Sequence, residues 1–325
     1  MPQPLSPDSF AGVAIVIPCY RVEREIADVI RGIPPRYRTI ICVDDASPDG
    51  SAAAVDAAGD QRVTLVRHPK NLGVGGAVKT GYAEALRRGA TICVKMDGDG
   101  QMSADDLDSL VSPLLSGDAD YAKGNRFVDV KALRQMPFIR LVGNAGLSFA
   151  SKLVSGYWNV LDVTNGFTAI NARMLRVVDS QHLADRYFFE TSVLVELNIQ
   201  RARVADVAMP ARYGDEQSSM KISRVLTTFP GLLIRGLARR FYWRYLMGEF
   251  GVTTVCVLTG LPLLAFGLVF GTMKWLESRA TGLPATAGTV FVAALPIMLG
   301  FQLLLAAVLL DVLSSPTVKR SSGEQ

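Results

Sequence analysis

Thr91–Gln101 reads T-I-C-V-K-M-D-G-D-G-Q. The apolar run Thr91–Val94 has the character of a strand buried on both faces, and it runs into two carboxylates separated only by Gly98. Asp97 and Asp99 repel each other at that spacing, so the pair has little structural purpose unless a cation sits beside it. In an open α/β sheet, ligands bind outside the carboxyl ends of the strands, which is where this acidic turn falls. Hard divalent cations such as Mg²⁺ take oxygen ligands, often one or two carboxylates completed by the phosphates of a substrate. Asp97 and Asp99 offer two such oxygens, and Gln101 supplies or orients a third.

The pattern repeats upstream. Val13–Pro18, Thr39–Val43 and Val63–Val66 read as further strands, and Glu23–Ile33, Pro48–Ala58 and Gly76–Arg88 as the helices between them. Short apolar runs without alternation, such as Ala14-Ile15-Val16-Ile17, suit a mainly parallel sheet with both faces covered. Past Asp120 the regularity weakens, with helices expected near Phe138–Leu153 and Phe189–Gln200 and strands at Gly166–Ile170 and Val204–Met209. Polar clusters close three of the early strands: Pro18-Cys19-Tyr20, Asp44 to Gly50 (D-D-A-S-P-D-G), and Asp97 to Gln101. Any one alone is ordinary turn and helix-cap chemistry, but three at strand ends converge on one edge of the sheet. Asn71–Gly76, N-L-G-V-G-G, invites a dinucleotide-loop reading that fails in detail, since Val78 stands at the third fingerprint position and His68–Asn71 separates the glycines from their strand.

Composition adds a second theme. Hydrophobic residues make up 49% of the 325, and the excess is local: Phe250–Met273 and Ala280–Leu310 contain no charged residue. About 20 apolar residues cross a bilayer core, which places spans at Val252–Met273 and Gly288–Leu310. Met1–Gly12 has no apolar core of signal length, so the first ~250 residues are expected to stay in the cytosol. Arg235, Arg239, Arg240 and Arg244 before the first span, with Lys319 and Arg320 after the second, put both termini on the cytoplasmic side of an inner, multi-pass membrane. Leu233, Leu237, Phe241 and Tyr245 share one i,i+4 stripe, so residues 218–250 read as amphipathic helices broken at Pro230 and lying in the headgroup plane. The organisation expected is therefore a catalytic domain over 1–217, interfacial helices over 218–250, two membrane helices over 251–313 and a tail over 314–325. The basic charge is a membrane-proximal belt, which excludes a nucleic-acid footprint. Four cysteines without C-x-x-C spacing read as small buried hydrophobes.

P-x-Y at Pro18–Tyr20, D-D-x-S-x-D-G at Asp44–Gly50, N-x-G at Asn71–Gly73, D-G-D-G-Q at Asp97–Gln101 and G-N-R-F at Gly124–Phe127 occur in an order that resembles the family 2 glycosyltransferases of GT-A fold. Asn165-Gly166-Phe167, Phe188-Phe189-Glu190 and Pro210–Gly214, followed by two spans, look like the polyprenyl-phosphate branch that includes dolichyl-phosphate mannose synthase. The resemblance implies an α/β GT-A fold and transfer of a hexose from a nucleotide sugar to a polyprenyl phosphate at a lipid bilayer, with Mg²⁺ or Mn²⁺ as cofactor. It implies that Pro18, Tyr20, Glu23, Asp44 and Asp45 hold the nucleoside, and that Asp97, Asp99 and Gln101 hold metal and diphosphate. Arg126 and Arg140 would hold the acceptor phosphate, and Arg212 and Lys221 would close over the donor phosphates. Arg21-Val22 departs from the family's usual Asn-Glu after P-x-Y. A lipid phosphate is mostly ionised at pH 7, so the reaction needs positioned cations more than a strong base, which suits the arginine fork. Asp162 is expected to orient acceptor or donor, with a plain helix-end carboxylate as the alternative, and the same choice stands for Glu190. His68 and His182 read as loop residues. Two rivals are a processive polysaccharide synthase, for which Arg240-Phe241-Tyr242-Trp243 lacks the Q-x-x-R-W signature, and a non-catalytic membrane scaffold. Association into homo-oligomers is expected from the small membrane footprint.

Overall fold

The computed structural model describes residues 7–126, 138–186, 188–210, 222–316 and 318. Two compact units emerge: residues 1–240 with 316–325, and residues 241–315.

The first unit is built on a seven-stranded sheet of β1 (Val13–Cys19), β2 (Thr39–Asp44), β3 (Val63–Arg67), β4 (Ile92–Lys95), β5 (Tyr121–Asn125), β6 (Thr168–Asn171) and β7 (Val204–Ala208), in the order 3-2-1-4-6-5-7. β6 runs antiparallel to β4 and β5, and the other pairs are parallel. The unbroken apolar strands pack on both sides, as their sequences require. Ile15 and Ile17 of β1 meet α1 (Ile26–Gly32), α2 (Ser51–Ala57) and α4 (Leu107–Leu115) on one face. Ala14 and Val16 meet α3 (Val74–Arg87) and α7 (Phe189–Ile199) on the other. α5 (Phe138–Ser155), α6 (Ala172–Val177) and α8 (Ile222–Arg240) complete this unit.

Three elements depart from the sequence reading. β5 and α4 appear where no element was expected, because β5 reads Y-A-K-G-N and α4 carries Pro113. Pro230 does not break its helix: α8 is continuous through it, with the proline ring on the exposed side. Arg239 of α8 pairs with the buried Glu196 of α7 at 2.5 Å and with Asp179 at 3.3 Å. Arg240 donates to the Leu153 carbonyl at 2.9 Å. Two arginines expected to face lipid headgroups are thus engaged by protein.

The second unit contains a π-helical turn, Phe241–Gly248, followed by α9 (Val252–Thr281) and α10 (Ala287–Leu313). Both helices are long and apolar enough to cross a membrane. Both overrun the spans read from sequence, and Lys274 and Glu277 pair at 2.7 Å within the last turns of α9. α9 and α10 approach closely at small residues: a Cβ on Gly267 would stand 2.7 Å from the Ala293 carbonyl, and one on Gly300 would stand 2.7 Å from that of Gly260. Small residues at such crossings let helix backbones approach where lipid supplies no hydrophobic drive. Near one end, Thr254 donates to the Tyr245 carbonyl at 2.8 Å, the Tyr245 hydroxyl bonds Asp311, and Arg244 donates to the Ser314 carbonyl at 3.1 Å. The four cysteines are free and buried.

Candidate active site

The loops after β1 and β2 are laced together. Ser47 Oγ accepts from the Arg21 amide at 2.8 Å, Ser51 Oγ from the Val22 amide at 2.9 Å, and Glu23 Oε2 from the Gly50 amide at 3.0 Å. Burial works against the charge of Asp49, but hydrogen bonds from Ser47, Ser51 and the Glu23 amide outweigh it and hold its carboxyl down at about 2. Asp45 is buried with both oxygens engaged: His68 Nδ1 and the Leu72 amide lie 2.8 Å from Oδ1, and the Gly73 amide lies 2.7 Å from Oδ2. Glu23 and Asp45, assigned to the nucleoside by resemblance, both brace loops by accepting from backbone amides. Asp44 differs. Its Oδ1 is buried without a hydrogen-bond partner, and burial raises its pKa. A carboxylate oxygen left in that state is an acceptor without a donor. His68 Nε2 reaches Thr80 Oγ1 at 2.9 Å, so this histidine is a loop residue as read.

At the end of β4 the structure brings in residues the sequence reading passed over. Lys95 is 1% exposed, and its ammonium lies 2.7 Å from Asp97 Oδ1, 3.4 Å from Glu190 Oε1 and 3.2 Å from the Gly166 carbonyl. Burial alone would lower its pKa, yet Asp97 and Glu190 outweigh burial and raise it. Lys123 of β5 is a second buried lysine, donating to the Asn165 carbonyl. Lys95 and Lys123 are both register partners of Thr168, so the three side chains stand in one row across β4, β6 and β5. With weaker support from Glu190 and Asp162, burial wins at Lys123 and brings its pKa down to about 8. The clue in the sequence was a lysine, Lys95, closing the apolar run before the acidic turn; Lys123 sits in a segment that does not read as a strand.

Arg126, just beyond β5, rests on Asp162: Nε donates to Oδ2 at 2.7 Å and Nη2 to Oδ1 at 3.2 Å. Asp162 is fully buried and also accepts from Thr164 Oγ1 at 3.2 Å. Two hydrogen bonds from one carboxylate thus fix the direction of the guanidinium. Arg140 lies in the first turn of α5, whose side chains there are not described, and Arg212 and Lys221 lie outside the described residues.

These groups line two adjoining hollows. The larger, of about 460 Å³, is lined by Pro18, Tyr20, Asp45, Lys95, Asp97, Asp99, Arg186 and Glu190. The smaller, of about 140 Å³, brings Asp97, Asp99 and Gln101 together with Arg126. Among the described residues no three His, Cys, Asp or Glu side chains converge as a complete metal cage. The donor set fits a cation that arrives with phosphate ligands of its own. Lys95 holds Asp97 Oδ1, while a Cβ on Gly166 would stand 2.8 Å from Oδ2, so the glycine keeps that oxygen's surroundings clear.

A parallel sheet with one reversed strand, a D-x-D turn at its centre and a nucleoside-sized pocket beside it define the class as GT-A-type transferases. The sequence agrees: residues 14–178 match Glycosyl transferase family 2, and the chain belongs to that family. The UDP-N-acetylglucosamine–dolichyl-phosphate N-acetylglucosaminyltransferase of Methanococcus voltae is 29% identical over 254 residues, covering 74% of this chain and 96% of that protein. The polyprenol monophosphomannose synthase of Mycolicibacterium smegmatis is 33% identical over 172 residues, covering 51% of this chain and 63% of that one. Among solved structures, glucosyl-3-phosphoglycerate synthase from Mycobacterium tuberculosis, in complex with Mn²⁺ and UDP-glucose, superposes with a TM-score of 0.53 at 18% identity, covering 73% of this chain and 85% of that one, a likeness of fold.

Proposed function

We propose that the chain is a membrane-bound, inverting glycosyltransferase that moves a hexose from a nucleotide sugar, of GDP-mannose or UDP-glucose type, to a polyprenyl phosphate, giving a polyprenyl-phosphate sugar. The observation that carries this reading is the hollow that joins Asp97, Asp99 and Gln101 to Arg126 braced on Asp162, in a chain that also has two helices of membrane-crossing length. The names of the relatives from Methanococcus and Mycolicibacterium point the same way. Mg²⁺ or Mn²⁺, held by Asp97 and Asp99 with Gln101, would neutralise charge developing on the departing nucleotide diphosphate. Asp44 accepts from the base or ribose, and Tyr20 stands half-exposed at the pocket mouth. Arg126 and Arg140 take the acceptor phosphate and direct one of its oxygens at the anomeric carbon. The C–O bond to the diphosphate breaks as the new one forms on the opposite face, and the configuration inverts. The attacking oxygen is already ionised, so no side chain has to remove a proton. Arg212 and Lys221 cover the donor phosphates. The catalytic unit and both termini lie in the cytosol at the inner membrane, residues 218–250 adjoin the headgroups, and copies associate as homo-oligomers.

The test is transfer of radiolabelled sugar from a panel of UDP- and GDP-sugars to undecaprenyl phosphate by purified protein with Mg²⁺ or Mn²⁺. The expected result is one donor yielding a chloroform-soluble product that Asp99→Ala and metal omission both abolish. Label that stays water-soluble with every donor sinks the reading.

A further inference from the structure

The proposed chemistry makes no use of the glycine-rich turn Asn71–Gly76, and no strand-end motif announced Arg186. The structure joins the two. Gly73 has φ +91°, and a Cβ there would stand 2.5 Å from the Asp185 carbonyl and 2.8 Å from Arg186 Cγ. A Cβ on Gly75 would collide with the Ala184 carbonyl. With both missing, the Gly75 amide donates to the Asp185 carbonyl at 2.8 Å and the Gly76 amide to the same oxygen at 3.3 Å. Lys79 ties the segment down from one turn further along α3, donating to the Leu183 carbonyl at 3.3 Å and pairing with the Asp185 carboxylate. The amides that a phosphate loop would turn toward its ligand are here spent within the protein: those of Leu72 and Gly73 on Asp45, and those of Gly75 and Gly76 on the Asp185 carbonyl. The glycines are a seat for that segment.

What the seat presents is Arg186. Its side chain runs past Gly73 into the hollow that also holds Asp97, Asp99 and Glu190. The other cations lining that hollow are engaged: Lys95 with Asp97 and Glu190, and Arg21 over the Tyr20 ring at 5.5 Å. Among the described residues, the Arg186 guanidinium makes no hydrogen bond or ion pair. A guanidinium fork fixed at its stem and open at its tip matches the oxygens of a phosphate.

We infer that Arg186, held by the glycine seat, is a substrate-binding residue that grips a phosphate group in this hollow. The inference rests on the glycosyltransferase reading, which brings two such groups to the site: the donor's diphosphate and the lipid's monophosphate. Full-length protein in detergent is compared with Arg186→Gln, Arg186→Lys and Gly75→Ala. Calorimetry with UDP and GDP, ligand-observed NMR with uridine and guanosine, and the KM for undecaprenyl phosphate are the readouts. Arg186→Gln is expected to weaken one phosphate source by about ten- to a hundredfold, the scale of a charge-assisted hydrogen bond, with Arg186→Lys recovering part. Gly75→Ala should shift the same quantity while keeping the arginine. Loss for UDP or GDP but not for the nucleosides assigns the grip to the donor; a raised lipid KM with nucleotide binding intact assigns it to the acceptor. Wild-type values for both in Arg186→Gln, or equal losses for nucleoside and diphosphate, overturn the inference while the parent reading stands. Wild-type protein that binds neither UDP nor GDP overturns both.

Discussion

Arg21 shows how one residue records a compromise. Its φ is +60°, in the left-handed region that asparagine tolerates and long side chains avoid. The resemblance expects asparagine here, and arginine accepts the strain while laying its guanidinium over Tyr20. Arg21→Asn is expected to stabilise the protein by about 0.5–1 kcal/mol, read as a rise of a few degrees in thermal midpoint. Lys123 carries a pH signature. Its pKa falls to about 8 in the folded protein, below the unfolded value of about 10.4. Between those values the unfolded chain holds a proton that the folded one has shed, so stability rises with pH across that window. The penalty is complete below pH 8. Wild type should accordingly gain on Lys123→Met as pH is raised from 7 to 10, measured as the difference in thermal midpoints; a constant difference would mean the lysine does not titrate there. Asp162→Asn leaves the Arg126 fork without its counter-charge and is expected to cut transfer at least tenfold while UDP or GDP affinity stays within about threefold, the two being separated by kinetics and calorimetry.

Among the elements, α8 is tied to α7 by a charge pair. The side chains of Arg239 and Glu196 are 18% and 3% exposed, so Arg239→Ala strands a buried carboxylate. A loss of about 2–4 kcal/mol follows, to be checked by denaturant melts, with Glu196→Gln restoring part in the double variant. The sequence could not show this pair: Leu233, Leu237, Phe241 and Tyr245 give this stretch an i,i+4 apolar stripe, but the carboxylate that takes Arg239 lies 43 residues away on another helix. β1 to β4 were legible because an unbroken apolar run has few other uses. β5 was not, since Lys123 and Asn125 in Y-A-K-G-N look like loop chemistry until the Asn165 carbonyl and Asp206 are seen to receive them. The motifs pick out loops that the fold brings to adjoining hollows, but not the direction of each carboxylate. Asp44 keeps an oxygen open, whereas Asp45, its neighbour in sequence, is spent on the 72–73 backbone. That distinction depends on where a loop 27 residues later returns.

For the molecule as a whole, α9 and α10 at 30 and 27 residues measure about 45 and 40 Å, longer than the ~30 Å hydrocarbon core. An even number of spans returns the chain to its starting side, so tags at either terminus should be reached by protease from the cytosolic face and a tag at residues 283–286 only from the other. Opposite accessibility at the two ends would refute the hairpin. The strand order carries a different consequence, one of time. β1 to β4 come from residues 13–95, so half the sheet is complete when the ribosome has made less than a third of the chain. The flank of β4 that β6 will cover stays bare until residue 168 and beyond has emerged, and an unpaired strand of Ile, Cys and Val is a template for aggregation. Lys95 stands at the end of that flank and discourages intermolecular pairing while the chain is unfinished. The residue that later braces Asp97 serves first as a guard on the nascent sheet.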